Sequence, residues 1–251
     1  MRRAVLVRGS SAVLAMALLS GCAGIDADGS STSPQKGGEN AKAAVPLDNP
    51  KGERPSLAAL TSDADQKAGR KVIEQVRTAG RGPKTGYERD RFGPTWTDTA
   101  DGVALARNGC DTRNDILARD GEKVKYRSGS DCVVVEMTLH DPYTGDTIAF
   151  EKAKANEVQI DHVMPLSYDW QMGAARWTAD KREQIANDPL NLIAVDGPTN
   201  GSKSDSGPAS WLPPVKRIRC AYSVRFAQVA LKYDLPVTTA DKQIMLEQCG
   251  G

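Results

Sequence analysis

The sequence predicts an α+β domain of ordinary size, and three observations carry that expectation. A hairpin and two further short β-branched strands lie among several stretches of helical apolar spacing. Four cysteines, Cys110, Cys132, Cys220 and Cys249, form an even set in a chain that starts like an exported one, which points to disulfides. The first 55 residues carry no core-forming pattern, so one domain is expected over residues 56–251.

The N-terminal segments come first. Arg2, Arg3 and Arg8 stand in a start without acids, ahead of an apolar run over residues 12–19. That run is shorter than the roughly 20 residues needed to span a bilayer and reads as an export signal. It ends in Leu19-Ser20-Gly21-Cys22, which resembles the bacterial lipobox. The expectation is a lipoprotein signal peptide over residues 1–21, with Cys22 lipidated and the protein held on the outer face of the cell membrane through that anchor alone. The alternative is an ordinary secretory signal with a chance cysteine. Residues 22–55 are rich in Gly, Ser, Pro, Lys, Asp and Asn and nearly free of large apolar side chains, as expected of a flexible tether.

Within the domain, residues 56–78 have a helical pattern through Leu57, Leu60, Val72, Ile73 and Val76, which ends before the glycines at 80 and 82. Residues 87–96 read as loop. Asp111 or Thr112 can cap a helix that starts there, with Cys110 pinning it. Residues 132–139 and 147–150 form the hairpin around the turn Asp141-Pro142-Tyr143-Thr144-Gly145. A strand over residues 158–160 runs into Asp161-His162. Residues 168–186 are expected to be one helix anchored by Trp170, Trp177 and Ile185, and residues 190–195 another strand. Pro198-Thr199-Asn200 opens a polar turn into a short helix that ends near Trp211. Two more helices follow, over 215–233 and from Thr238 to Cys249, the second with Asp241 placed for a capping contact. The cysteines allow three pairings. Cys110–Cys132 and Cys220–Cys249 are favoured because each closes a local loop, worth roughly 3 kcal/mol on chain-entropy arguments.

Charge excludes a globally basic nucleic-acid binder. The chain is at +1, and without the three signal arginines the remainder is near −2. Locally, residues 206–233 hold no acid but contain Lys216, Arg217, Arg219, Arg225 and Lys232, a helix face that either engages phosphates or is merely solvated. With only two histidines, His140 and His162, a three-His zinc site and an HExxH helix are ruled out. There is no CxxC for a zinc knuckle and no GxSxG elbow. The stretch from Gly197 to Ser204 is one residue short of a phosphate-binding P-loop. His140, at a strand end, and Trp177 and Trp211 are read as structural.

The positive signal is a strand delivering Asp161-His162, a later strand opened by Asn191, and Asn200 with Lys203 and Ser204 beyond it. This order resembles the ββα-metal motif of HNH nucleases. Val158-Gln159-Ile160-Asp161-His162-Val163-Met164-Pro165-Leu166, Asn187-Asp188-Pro189-Leu190-Asn191-Leu192 and Pro208-Ala209-Ser210-Trp211-Leu212-Pro213-Pro214 resemble the exported HNH-family proteins of actinobacteria. That group is related to the C-terminal domain of GmrSD-type restriction enzymes. The Cys110-Asp111-Thr112-Arg113-Asn114-Asp115 stretch and the Asp141 turn share the resemblance, which spans about residues 87–249.

The resemblance implies an α+β fold with a ββα-metal (HNH-type) core at about 157–212, a small antiparallel sheet wrapped by helices, and disulfide staples. It implies an endonuclease that hydrolyses phosphodiester bonds of nucleic acid, expected to be DNA, with one divalent ion, Mg²⁺ or Mn²⁺. His162 would be the general base, since a neutral imidazole can take a proton from water. Asp161 and Asn200 would hold the metal, and hard oxygen donors suit such ions. Many HNH proteins have His where this chain has Asn200. Asn191 would support the loop, and Lys203 and Arg113 are candidates for phosphate contact. Two rival expectations are a catalytically idle, disulfide-stapled binding lipoprotein of the cell envelope and a hydrolase acting on the cell wall.

Overall fold

A computed structural model describes residues 43–55 and 57–250. The expected signal peptide, Cys22 and most of the expected tether lie outside the described residues. Among the described residues, no helix is long and apolar enough to cross a membrane.

The fold is α+β with two small antiparallel sheets, where the sequence suggested a single one. The strands are β1 (Glu122–Tyr126), β2 (Val134–His140), β3 (Thr147–Glu151), β4 (Val158–His162) and β5 (Leu192–Asp196). β1, β2 and β3 make a three-stranded sheet, and β4 and β5 pair separately. The helices are α1 (Asp63–Glu74), α2 (Thr112–Asp120), α3 (Leu166–Met172), α4 (Ala179–Asn187), α5 (Gly197–Lys203), α6 (Arg219–Tyr233) and α7 (Thr239–Gln248).

The β4–β5 pair lies between two cores, which explains why β5 is apolar on both faces and β4 on the face toward the smaller core. Val158, Ile160, Leu192 and Ala194 pack with Ile116 and Leu117 of α2 and with Met137, Leu139 and Phe150 of the larger sheet. Ile193 and Val195 face the helical core of α1, α3, α4, α6 and α7. Strand alternation thus sends neighbouring side chains into different cores. Cys110–Cys132 fastens the start of α2 to the entry of β2, and Cys220–Cys249 joins the start of α6 to the end of α7.

Several boundaries differ from the sequence expectations, each for a local reason. α1 starts only at Asp63, because the Ser62 side chain accepts from the Asp65 amide and caps it there. The helix expected over 168–186 is broken. Gly173 adopts φ +142°, and the Thr178 side chain caps a new helix, so α3 and α4 are separate. Residues 89–92, expected to be loop, form a 3-10 turn. β1 is not among the expected strands, and Lys123 at φ +53° marks its irregular pairing with β2. Asn200 lies inside α5 rather than in a turn, since Asp196 caps that helix directly through the Thr199 amide.

Residues 43–55 also belong to the packed domain rather than to a tether. Ala44, Pro46 and Asn49 are buried. Gly52 passes so close to the backbone of Pro189 and Leu190 that a Cβ would lie 2.4 Å from it. The Arg119 guanidinium, bidentate on Asp120, donates to the carbonyls of Gly52, Pro189 and Leu192, tying this segment to α2 and β5.

Three of the five cations in the acid-free stretch are tied to groups of the fold, while Lys216 and Arg217 stand exposed. Arg225 is 1 % exposed and donates to the carbonyls of Leu190 and Asn49. Arg219 donates to the Pro213 carbonyl, and Lys232 pairs with the buried Asp188. These cations are spent on backbone and carboxylate groups that the fold itself leaves needing donors.

Candidate active site

The end of β4 carries the site. Gln159 and Asp161 project from one face of the strand, and His162 projects from the other. α5 leaves β5 at once and lies against the first face. Asn200 and Lys203, three residues apart on that helix, meet Gln159 and Asp161 respectively.

Asp161 is buried and accepts on both oxygens. The Tyr143 hydroxyl donates to Oδ2 at 2.6 Å, and the Lys203 ammonium donates to Oδ1 at 2.8 Å. Burial pushes the Asp161 carboxyl up, while Lys203 opposes that shift. Lys203 is itself 0 % exposed, and its second bond, 2.7 Å long, goes to the His162 carbonyl. The expected phosphate contact by Lys203 is therefore not what the geometry offers. Its charge compensates a buried carboxylate instead, as burial of Asp161 requires.

Tyr143 is aimed by the turn between β2 and β3. The Asp141 side chain accepts from the amides of Tyr143 and Thr144 and from the Thr144 hydroxyl, an Asx turn that sends the Tyr143 ring inward.

The His162 ring is held by two contacts. Its Nε2 donates to the Ala186 carbonyl at 2.9 Å, which leaves Nδ1 as the unprotonated nitrogen of the neutral ring. Ala186 lies in the last turn of α4, where carbonyls lack helical partners. Trp96 stacks on the imidazole with centroids 5.6 Å apart and planes 10° apart. Trp96 itself adopts φ +56°, a left-handed conformation rare for a bulky residue. Burial, with Arg89 next, pushes the imidazole pKa down to about 3. His162 is thus neutral across the physiological range.

Asn191 is fully buried and bridges two elements. Its Oδ1 accepts from the Met164 amide, and its Nδ2 donates to the carbonyls of Met164 and Ile185. The loop after β4 and the end of α4 are locked together beneath His162. Asn200 gives its Nδ2 to Gln159 Oε1 at 2.9 Å, so its carbonyl oxygen is the end left for other ligands. Arg113 donates from Nη2 to the carbonyls of Ala155 and Val158, with the rest of its guanidinium on the wall of the site. Asp161, His162, Asn200 and Arg113 all line one cleft of about 460 Å³, and Asn191 supports it from below.

Among the described residues no group of three or more His, Cys, Asp or Glu is placed to hold a metal, so an ion at this corner would rest on Asp161 and Asn200. Each Asp161 oxygen accepts one hydrogen bond and keeps a further lone pair, and Asn200 adds a neutral oxygen. Two oxygen ligands with water completing the shell is the pattern that hard ions such as Mg²⁺ accept.

Four residues around this set had no sequence signal of their own: Tyr143, Trp96, Gln159 and Arg89. Tyr143 stood within a noted turn, but only the folded chain brings its hydroxyl to Asp161.

The site is therefore a carboxylate, an imidazole and an amide at a β-β-α corner, with a buried lysine balancing the carboxylate. Residues 111–248 match the family described as GmrSD restriction endonucleases, C-terminal domain, and the chain belongs to that family. It is 42% identical over 183 residues to a protein of Arthroderma benhamiae named "Uncharacterized secreted protein", covering 71% of this chain and 83% of the relative. That relative is fungal, so similar chains are not confined to the actinobacteria. No solved structure matches the chain.

Proposed function

We propose that the protein is a divalent-metal-dependent nuclease of the HNH type, acting on nucleic acid outside the cytoplasmic membrane. The observation that carries this is the neutral His162, clamped through Nε2 so that Nδ1 is free, in the same cleft as Asp161 and the Asn200 carbonyl. Membership of the restriction-endonuclease family supports the reaction class. Asp161 and Asn200 would hold Mg²⁺ or Mn²⁺, which when bound stabilises charge on the phosphate and the leaving oxygen. His162 Nδ1 accepts the proton of the attacking water. Asn191 and Trp96 fix the ring, and Arg113 contacts substrate phosphate with the part of its guanidinium not spent on carbonyls. The two disulfides and the secreted relative support an extracellular setting; Cys22 as the lipid attachment point rests on the lipobox-like Leu19-Ser20-Gly21-Cys22 alone.

One observation favours a second reading, a catalytically idle binding protein of the cell envelope: both Asp161 oxygens already accept a hydrogen bond. Supercoiled plasmid separates the two. The nuclease nicks it with Mg²⁺ or Mn²⁺ and stops on chelation with EDTA. Intact plasmid and intact RNA with either ion would favour the idle protein.

A further inference from the structure

One cation beside His162 is unspent. Arg89 is exposed and lines both the 460 Å³ cleft and a smaller crevice behind Trp96, which also borders His162. No described residue pairs with its guanidinium. The other cations lining the cleft are committed, Lys84 to Asp205 at 2.7 Å and Arg113 partly to two carbonyls, and the buried Lys203 behind it pairs with Asp161 at 2.8 Å.

The base of Arg89 is firmly held. It opens the 3-10 turn whose Phe92 is buried against Tyr87 and Trp170. The Arg182 Nε donates to the Arg91 carbonyl of the same turn at 2.7 Å. A free guanidinium on a fixed turn at the mouth of a polar cleft is an arrangement that awaits an anion. Its charge also reaches the imidazole, as one cause of the lowered pKa of His162.

We propose that Arg89 grips the scissile phosphate, with its planar fork on the non-bridging oxygens, across the cleft from His162. This rests on the nuclease reading. As the water oxygen bonds to phosphorus, its proton passes to His162 Nδ1. The bond to the leaving oxygen breaks, and that oxygen departs with the electron pair and takes a proton from solvent. Negative charge builds on the non-bridging oxygens in between, where a bidentate donor strengthens its hold. Lysine has the charge but not the fork.

The test uses the full chain and a short fluorescein-labelled DNA duplex. Binding is measured against salt in a His162→Ala background with EDTA, and cleavage is measured separately with Mg²⁺ or Mn²⁺. Arg89→Ala should flatten the slope of log affinity against log salt by about 0.9, the loss of one phosphate contact on duplex DNA. It should also lower kcat by about 100-fold, as expected for removing one transition-state donor. Arg89→Lys should restore the slope but not the rate. Arg91→Ala, on the same turn but paired with Glu88 and lining neither cavity, should change neither. Thermal melts check that each variant folds. If the wild type binds and cleaves while Arg89→Ala keeps the wild-type slope and rate, the assignment is overturned and the nuclease reading stands. If Arg89→Lys recovers the full rate, Arg89 supplies charge only and the bidentate grip is overturned. A wild type that neither binds nor cleaves overturns both.

Discussion

The turn that carries Arg89, beside the corner of β4, β5 and α5, and the acid-free segment from residue 206 to 233 make opposite use of positive charge. In the segment, five cations follow one another without an acid, yet Arg225 is buried on two carbonyls, Arg219 caps a loop carbonyl and Lys232 sits on a buried aspartate. On that turn, Arg89 comes from a stretch of mixed charge, between Glu88 and Asp90, and keeps its guanidinium open to the cleft. Counting cations along a sequence therefore finds positive charge but not its availability. What decides availability is whether the fold has already left a carbonyl or carboxylate in need of that donor.

Lys203 gives the sharpest way to break the comparison. It resembles a phosphate ligand in the sequence, and in the structure it is a buried counter-ion. Lys203→Met leaves Asp161 buried without its cation, and about 3–5 kcal/mol of stability should be lost in urea denaturation at neutral pH. A surface phosphate contact would cost almost nothing in stability. Arg225→Met comes next. It strips donors from the Leu190 and Asn49 carbonyls, and the unsatisfied groups should cost about 1–3 kcal/mol. Its duplex affinity and salt slope should match the wild type. A flatter slope would return the acid-free segment to the substrate surface.

The smallest effect concerns a charge outside both regions. Half-burial raises the Asp115 carboxyl from 3.8 to about 6, against an opposing hydrogen bond from Asn108. The folded state then binds more protons than the unfolded state between those values, so this contribution to stability falls as pH rises through that window. Asp115→Asn should raise the melting temperature slightly at pH 7 and change it little below 3.8. Solvent screening of a half-exposed group keeps the gain below about 1 kcal/mol. An unchanged melting temperature at both pH values would show that the carboxyl is freely hydrated.

What was legible in the sequence follows chain locality. Asp161, His162, Asn191 and Asn200 lie within 40 residues of chain, with α3 and α4 between the two strands, so their order survives as a pattern. The strand that ends in His162 and the helix caps at Asp111 and Thr238 were legible for the same reason. The rest arrives from a distance. Tyr143 reaches Asp161 from another sheet, and Trp96 and Arg89 come from a segment that looked like plain loop. The role of Lys203 was misread because burial is a tertiary property. Arg119 and Arg225 show the same limit for the fold: a segment with the composition of a tether is held by two buried arginines, on the Gly52 and Asn49 carbonyls.

The central claim is that His162, neutral and clamped, is the base of a metal-dependent phosphodiesterase at this corner. The most direct measurement is nicking of supercoiled plasmid with Mg²⁺ or Mn²⁺ by the wild type and by His162→Ala, at equal concentration and with matched thermal melts. Nicking by the wild type and a rate at least about 100-fold lower for His162→Ala are expected. Equal rates from the two proteins would contradict that claim.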